Sequence, residues 1–342
     1  MYFFKIVCNN VYTMQVPIFL VIIILILGGL LLSRSAILSV RTLQRLSISL
    51  HLSYFIVSFL IMSVATSLPE LFVGIISSLK GESNFALGTV IGSNIINFTL
   101  VAGLVSVIAK KLGIKNIFEK KHGYYALATT FVLLLFLLDG YISRLEGGAL
   151  ILVYILYILY ISNIKNVFAS KQKQEKIKSS HKNNLLSFLK NVVLFLISVG
   201  GLVIGAEVVF RSSFLISSYF HFPKIVMALV FVSLSTSLPE LVFEIVALKK
   251  GKNSMVLGDL LGSISTNSGV IVGICSLINP ITVLQASVPF KTSIVFLVAS
   301  AFLFVFFIRT DRSINWKEGI VLLLVYFVYT AVQYLEGFYS GL

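Results

Sequence analysis

The chain has 342 residues, of which 58% are hydrophobic and only 12% charged, with a mean hydropathy of +1.00. A soluble domain carries about a quarter charged residues, so this composition excludes a soluble globule and predicts an all-α polytopic membrane protein. The net charge of +14 raises nucleic acid as a partner, a possibility that the placement of the basic residues decides.

A spanning helix requires about 20 apolar residues. The runs between polar breaks predict ten spans, at 15–40, 52–79, 84–109, 122–139, 144–168, 187–210, 222–248, 254–279, 286–308 and 315–337. The first contains the apolar run Ile18–Leu32, which is not read as a signal peptide. No small-x-small cleavage site follows it, and its Gly28-Gly29 is echoed by Gly200-Gly201. With an outside N-terminus, the cytoplasmic loops hold 21 of the 27 lysines and arginines, including seven lysines from Lys165 to Lys190. That is the positive-inside pattern, which predicts both termini outside the cell membrane and removes nucleic acid as a partner. Two cysteines, Cys8 and Cys275, are too few for a disulfide or metal framework.

Span 2 carries Thr66-Ser67-Leu68-Pro69-Glu70 and span 3 carries Gly92-Ser93-Asn94-Ile95-Ile96-Asn97. Both return 170 residues later without a gap, as Thr236-Ser237-Leu238-Pro239-Glu240 in span 7 and Gly262-Ser263-Ile264-Ser265-Thr266-Asn267 in span 8. Between 66–103 and 236–273, 15 of 38 positions are identical, so the chain is internally duplicated. The first repeat is assigned to 1–168, a Lys/Gln/Ser-rich cytoplasmic linker to 169–186 and the second repeat to 187–342. Five spans per repeat is an odd number, so the second copy enters the membrane upside down. The predicted fold is therefore ten transmembrane helices as two inverted five-helix repeats, an arrangement typical of secondary transporters.

An ionisable group at membrane depth costs at least roughly 2.5 kcal/mol and is by default a functional candidate. Glu70 and Glu240 each follow a proline, which removes a backbone donor and frees the carbonyl four residues earlier, those of Ala65 and Ser235. Lipid cannot satisfy such groups. Thr66, Ser67, Thr236 and Ser237 add hydroxyls at the predicted breaks, and each glutamate falls beside a positive helix end. The structural alternative is that Thr-Ser and Glu merely cap a kinked helix. In spans 3 and 8, Gly88, Gly92, Gly258 and Gly262 suit close helix packing. Ser93 with Asn97, and Ser263 with Asn267, lie four apart on one helix face, as ligands or as interhelical hydrogen-bonding groups. Two carboxylates, two amides and up to six hydroxyls, without histidine or cysteine, make a hard-cation set suited to Ca²⁺, to monovalent ions or to protons. No cofactor and no obligate protein partner is evident.

At these residues the chain resembles the cation/Ca²⁺ exchanger superfamily, in particular the prokaryotic sodium/calcium exchangers, whose repeats read G-T-S-x-P-E and G-S-N-I-x-N or G-S-N-I-x-D. The resemblance implies an antiporter with a central group of ion sites between spans 2, 3, 7 and 8 and a mobile pair of spans 1 and 6. It implies Glu70 and Glu240 as principal Ca²⁺ ligands with Asn97 and Asn267 beside them. Thr66, Ser67, Ser93, Thr236, Ser237 and Ser263, with main-chain oxygens around Ser63 and Ser233, would line flanking Na⁺ sites. The chain departs from the pattern at Asn267, where many relatives have aspartate, at Ile264, and at Ala65 and Ser235 in place of glycine. It also adds Glu244 where the first repeat has Gly74, and Asp259 opposite Thr89. Glu244 is an added ligand or proton carrier, or an acid near Lys249 and Lys250. Asp259 lines an access path or makes an interfacial hydrogen bond. Glu207 in span 6 is given a structural role near the outer interface.

The function expected is Ca²⁺ transport driven by Na⁺, with Ca²⁺/H⁺ antiport as the alternative and a passive cation channel as a reading of another class. No H-E-x-x-H or G-x-S-x-G motif supports an intramembrane enzyme.

Overall fold

A computed structural model describes residues 17–49, 62–113, 117–168, 185–249, 251, 253–283, 287–311 and 313–340. Cys8 and residues 169–184 of the expected linker lie outside them. The described helices are α1 (Ile18–Ser49), α2 (Met62–Thr66), α3 (Leu68–Leu79), α4 (Ser83–Ile96), α5 (Ala102–Ala109), α6 (Ile117–Phe136) and α7 (Arg144–Phe168). They continue as α8 (Leu185–Phe220), α9 (Lys224–Val226), α10 (Ser233–Lys249), α11 (Asn253–Thr266), α12 (Val272–Ile278), α13 (Val288–Asp311) and α14 (Trp316–Ser340). Three π-helical stretches join neighbours into longer rods: Asn97–Val101 between α4 and α5, Met227–Val232 between α9 and α10, and Asn267–Ile271 between α11 and α12.

Seven of these helical stretches are long and apolar enough to cross a membrane. Leu68–Leu79 and Leu127–Phe136 are shorter apolar helices. Burial separates two classes. In the rods Ser83–Ala109 and Met255–Ile278, 78% of the apolar window is buried, against 28% in Val288–Arg309, Trp316–Tyr339 and Phe188–Phe220. The first two rods are therefore central, and the others expose apolar side chains such as Phe302, Phe327 and Leu196, as a lipid-facing rim requires.

Small residues allow the central rods to be enclosed. A Cβ on Gly92 would collide with the main-chain oxygen of Leu229, so α4 meets the rod of α9 and α10 backbone to backbone. Gly103 and Gly319 face each other across α5 and α14, each pressed to the other's carbonyl at 2.8 Å from a notional Cβ. Gly273 and Gly147 do the same across α12 and α7. The helices α7 and α14 start with matched caps: the Ser143 amide donates to Glu146 Oε2 at 2.7 Å, and the Asn315 amide to Glu318 Oε2 at 2.7 Å. In return Glu146 and Glu318 donate their amides to Ser143 Oγ and Asn315 Oδ1, a reciprocal box at each N-terminus.

Along the rim, α1 and α8 pack against each other, with Gly205 of α8 against Leu32 and Gly28 of α1 against Val208. The buried hydroxyls of Ser39 and Ser198 meet at 2.6 Å in the same seam. Within α8, Glu207 pairs with Lys80 at 2.5 Å and with Arg211. The cluster is partly exposed.

The all-α expectation requires one correction. Strand β1 (Lys111–Gly113) pairs antiparallel with β4 (Ser313–Asn315), Leu112 opposite Ile314, and β2 (Tyr141–Ile142) pairs with β3 (Ile281–Thr282). Buried backbone donors and acceptors need partners, and Leu112, Ile142, Ile281 and Ile314 are fully buried. The connections therefore satisfy their peptide groups by pairing. Each ribbon ties a connection from before residue 169 to one from after it.

Candidate ion-binding site

The two glutamates are carried on unequal backbones. In the first motif the helix stops at Thr66, Ser67 is a turn residue, and α3 begins with Pro69 in its first two positions and Glu70 in its first turn. In the second motif α10 runs unbroken through Pro239, so the break expected there does not occur. The carbonyl of Ser235, which Pro239 leaves without its helical donor, is met instead by the Ser33 hydroxyl of α1 at 3.5 Å. The irregular turn lies upstream, in the π-helical stretch Met227–Val232, and its counterpart in the first half falls largely outside the described residues.

Ser67 makes no side-chain cap bond to its own helix, contrary to the capping alternative. Its hydroxyl donates across the interior to Glu240 Oε1 at 3.1 Å, and Ser237 donates to Glu70 Oε1 at 3.3 Å. Each motif's serine therefore holds the other motif's glutamate. Ser93 donates to Glu70 Oε1 at 3.0 Å and lies 3.0 Å from the Ser237 hydroxyl and 3.5 Å from Thr236 Oγ1. Thr66 lies 3.2 Å from Ser263, and Ser263 and Asn97 face Glu240. The carbonyls of Ser63 and Ser233 accept from Thr66 and Thr236 at 3.3 and 3.1 Å. Nine of the twelve residues expected around a central site are thus brought together across the interior; Ser63 and Ser233 adjoin them through Thr66 and Thr236, Asn267 is bonded to Asn94, and all twelve are buried to within about 2% of complete enclosure.

The cluster is not self-satisfied. One oxygen each of Glu70, Glu240 and Asp259, both of Glu244, the amide oxygen of Asn267 and both amide atoms of Asn97 are buried without a hydrogen-bonding partner. Buried polar groups are rarely left so. The acids act on one another: Glu240 on Glu70, and Glu240 and Asp259 on Glu244. Among the described residues no basic side chain acts on any of the four. Their combined negative charge calls for cations or protons. Among the described residues no three carboxyl, imidazole or thiol groups converge as a closed metal cage. A bound ion would therefore take hydroxyl, amide or main-chain oxygens as well as carboxylates.

The sodium/calcium exchanger protein family model matches the chain twice, at residues 20–163 and 190–335. The chain belongs to this family. It is 26% identical to the sodium/calcium exchanger MaX1 of Methanosarcina acetivorans, over 91% of this chain and 98% of the relative. It is likewise 26% identical to the putative antiporter CaxA of Alkalimonas amylolytica, over 92% and 97%. A solved structure of the sodium-calcium exchanger NCX_Mj, soaked with 2.5 mM Na⁺ and 0.1 mM Ca²⁺, is similar at a TM-score of 0.64 and 26% identity, over 91% of this chain and 98% of that one. The protein is accordingly a multi-pass membrane cation exchanger.

Within this family member, sequence reasoning missed Asn94 as a site residue. Its amide oxygen accepts from Asn267 Nδ2 at 3.1 Å and its own Nδ2 donates to Ser268 at 2.8 Å. Asn94 therefore orients Asn267, whose Oδ1 is left buried without a hydrogen-bonding partner. Its presence in one repeat, with Ile264 at the matched position, was the available signal. The π-helical turns that begin at Asn97 and Asn267 were also unforeseen. They place both asparagines where helical bonding is irregular, a feature frequent at functional sites.

Proposed function

We propose that the chain is a secondary active antiporter that exchanges Ca²⁺ for Na⁺ by alternating access. In this reading ten spans form two inverted five-helix repeats, 1–168 and 187–342, joined by a cytoplasmic linker at 169–186, with both termini outside the cell membrane. The observation that carries it is the pair of buried glutamates, each held by the other motif's serine and each left with one unsatisfied oxygen. Glu70 and Glu240 neutralise one divalent ion, and Asn97 and Asn267 complete its shell with neutral oxygens. Hydroxyls of Thr66, Ser67, Ser93, Thr236, Ser237 and Ser263 and the carbonyls of Ser63 and Ser233 serve Na⁺. A site that must always be neutralised by one ion or the other is emptied of one only as it accepts the other, which is exchange rather than leak. The family and its sodium/calcium exchanger relatives support the same pair of ions.

Radioactive Ca²⁺ uptake into proteoliposomes tests this. Uptake that requires internal Na⁺ is the expected result. Uptake driven equally by an outward proton gradient without Na⁺ would assign Ca²⁺/H⁺ antiport instead, and bilayer conductance above any carrier rate would assign a channel.

A further inference from the structure

Among the described residues, two buried acids remain without a role. Glu244 follows Glu240 by four residues on α10, and Asp259 precedes Ser263 by four on α11. The helix α10 runs toward its junction with α11, and α11 runs away from it. Both acids are therefore shifted from the central cluster by about 6 Å in the same direction, one helical turn. Glu244 is 1% exposed and Asp259 fully buried.

We propose that Glu244 and Asp259 form a second hard-cation subsite, suited to a divalent ion of the Ca²⁺ class, adjoining the central site on the side of the α10–α11 junction. Three of their four oxygens, both of Glu244 and Oδ2 of Asp259, are buried without a hydrogen-bonding partner. The fourth, Asp259 Oδ1, accepts from Thr66 at 3.4 Å, and Thr66 in turn lies 3.2 Å from Ser263. One hydroxyl thus bridges the pair to the central cluster. The pair is not an ion pair with Lys249, whose side chain is exposed while Glu244 is enclosed.

Helix packing does not require these charges. At the matched positions in the first half stand Gly74, packed against Cys275 Sγ, and Thr89, whose hydroxyl donates to its own helix at the Phe85 carbonyl. One end of the site therefore lacks both of these acids and the other carries both. Two carboxylates and a hydroxyl, all oxygen donors, select a hard cation, and two negative charges balance one divalent ion. The proposal extends the central-site reading and rests on it only for the neighbouring charge of Glu240.

The test is equilibrium dialysis of radioactive Ca²⁺ against the purified full chain in sodium-free detergent solution. Two Ca²⁺ per chain are expected for the unaltered protein. Glu244→Gln and Asp259→Asn, each eluting as a single folded species by size exclusion, are expected to bind one, while Glu70→Gln loses the other. If a neutral variant fails to fold, Glu244→Asp keeps the charge on a shorter arm and is expected to bind two ions with one weakened at least tenfold. Unchanged stoichiometry and affinity in the folded Glu244 and Asp259 variants would overturn the subsite. If Glu70→Gln alone abolishes binding in that case, the central site stands without it. Loss of one Ca²⁺ in Glu244→Gln with none in Glu70→Gln would do the reverse, retaining the subsite and refuting the central assignment.

Discussion

Glu240→Gln is the sharpest single perturbation of the central site. Glutamine has the same shape and keeps one oxygen to accept from Ser67, whose hydroxyl now lies 3.1 Å from Glu240 Oε1, so the local fold is retained. What it removes is one of two negative charges facing the ion. Two unit charges about 4 Å apart interact by about 4 kcal/mol at an effective dielectric of about 20. A divalent ion doubles that attraction, and relief from burying the carboxylate offsets part of it. A net loss of about 4 kcal/mol corresponds to roughly a thousandfold weaker binding. Initial rates of Ca²⁺ uptake into Na⁺-loaded proteoliposomes, measured over a range of external Ca²⁺, read this directly, with Glu82→Gln as a control. Glu82 pairs with Lys224 at 2.6 Å in a partly exposed setting, where an ion pair contributes about 0–1 kcal/mol. Near-normal uptake and Ca²⁺ dependence in folded Glu240→Gln would refute the assignment of Glu240 as a principal ligand.

Further predictions concern the surroundings of the site. Ser67→Ala and Ser237→Ala each delete one hydroxyl bond to a carboxylate, about 1.5 kcal/mol or more, and should each weaken Ca²⁺ dependence of uptake roughly tenfold; equal loss from both would match their reciprocal geometry. Asn94→Leu strands Asn267 Nδ2 and takes one of two partners from the Ser268 hydroxyl, which keeps Thr130 at 3.3 Å, and should destabilise the protein by about 1–3 kcal/mol, seen as a lower Tm in a thermal shift assay. Gly92→Ala drives a methyl group into the Leu229 carbonyl and should lower Tm through an overpacking cost of about 1–3 kcal/mol. Tyr339→Cys, on the exposed end of α14, should react with an impermeant thiol reagent applied from outside intact cells; labelling only from the cytoplasmic face would overturn the proposed topology.

Much of the site was legible because burying charge in an apolar chain leaves a conspicuous residue. Glu70 and Glu240 stand out against long hydrophobic runs, and their repetition with Pro, Gly and Asn at a constant offset pointed to one cluster built twice. Less legible were the features that depend on a partner distant in the chain. Asn94 looked like a departure between repeats, and only its contact with Asn267, 173 residues away, gives it a positioning role. The break anticipated at Pro239 followed from local rules, but α1 reaches the freed Ser235 carbonyl and the helix continues. The strand pairs were invisible for the same reason, since each joins three residues or fewer to a segment more than 100 positions away. Conversely, the caps at Ser143–Glu146 and Asn315–Glu318 are local S-x-x-E and N-x-x-E patterns that the sequence displays openly.

By itself the sequence determined that this is a membrane protein, that its central motif is duplicated, and that its candidate ligands are hard oxygens. These follow from hydropathy, repeat spacing and side-chain chemistry, which are properties of residues and their order. Tertiary structure decided which serine serves which glutamate, which oxygens remain unsatisfied, and that Glu244 and Asp259 lie together at one end. Those outcomes depend on how α3, α4, α10 and α11 approach one another, and helix packing is set by small-residue contacts summed over the whole bundle, which no local window of sequence contains.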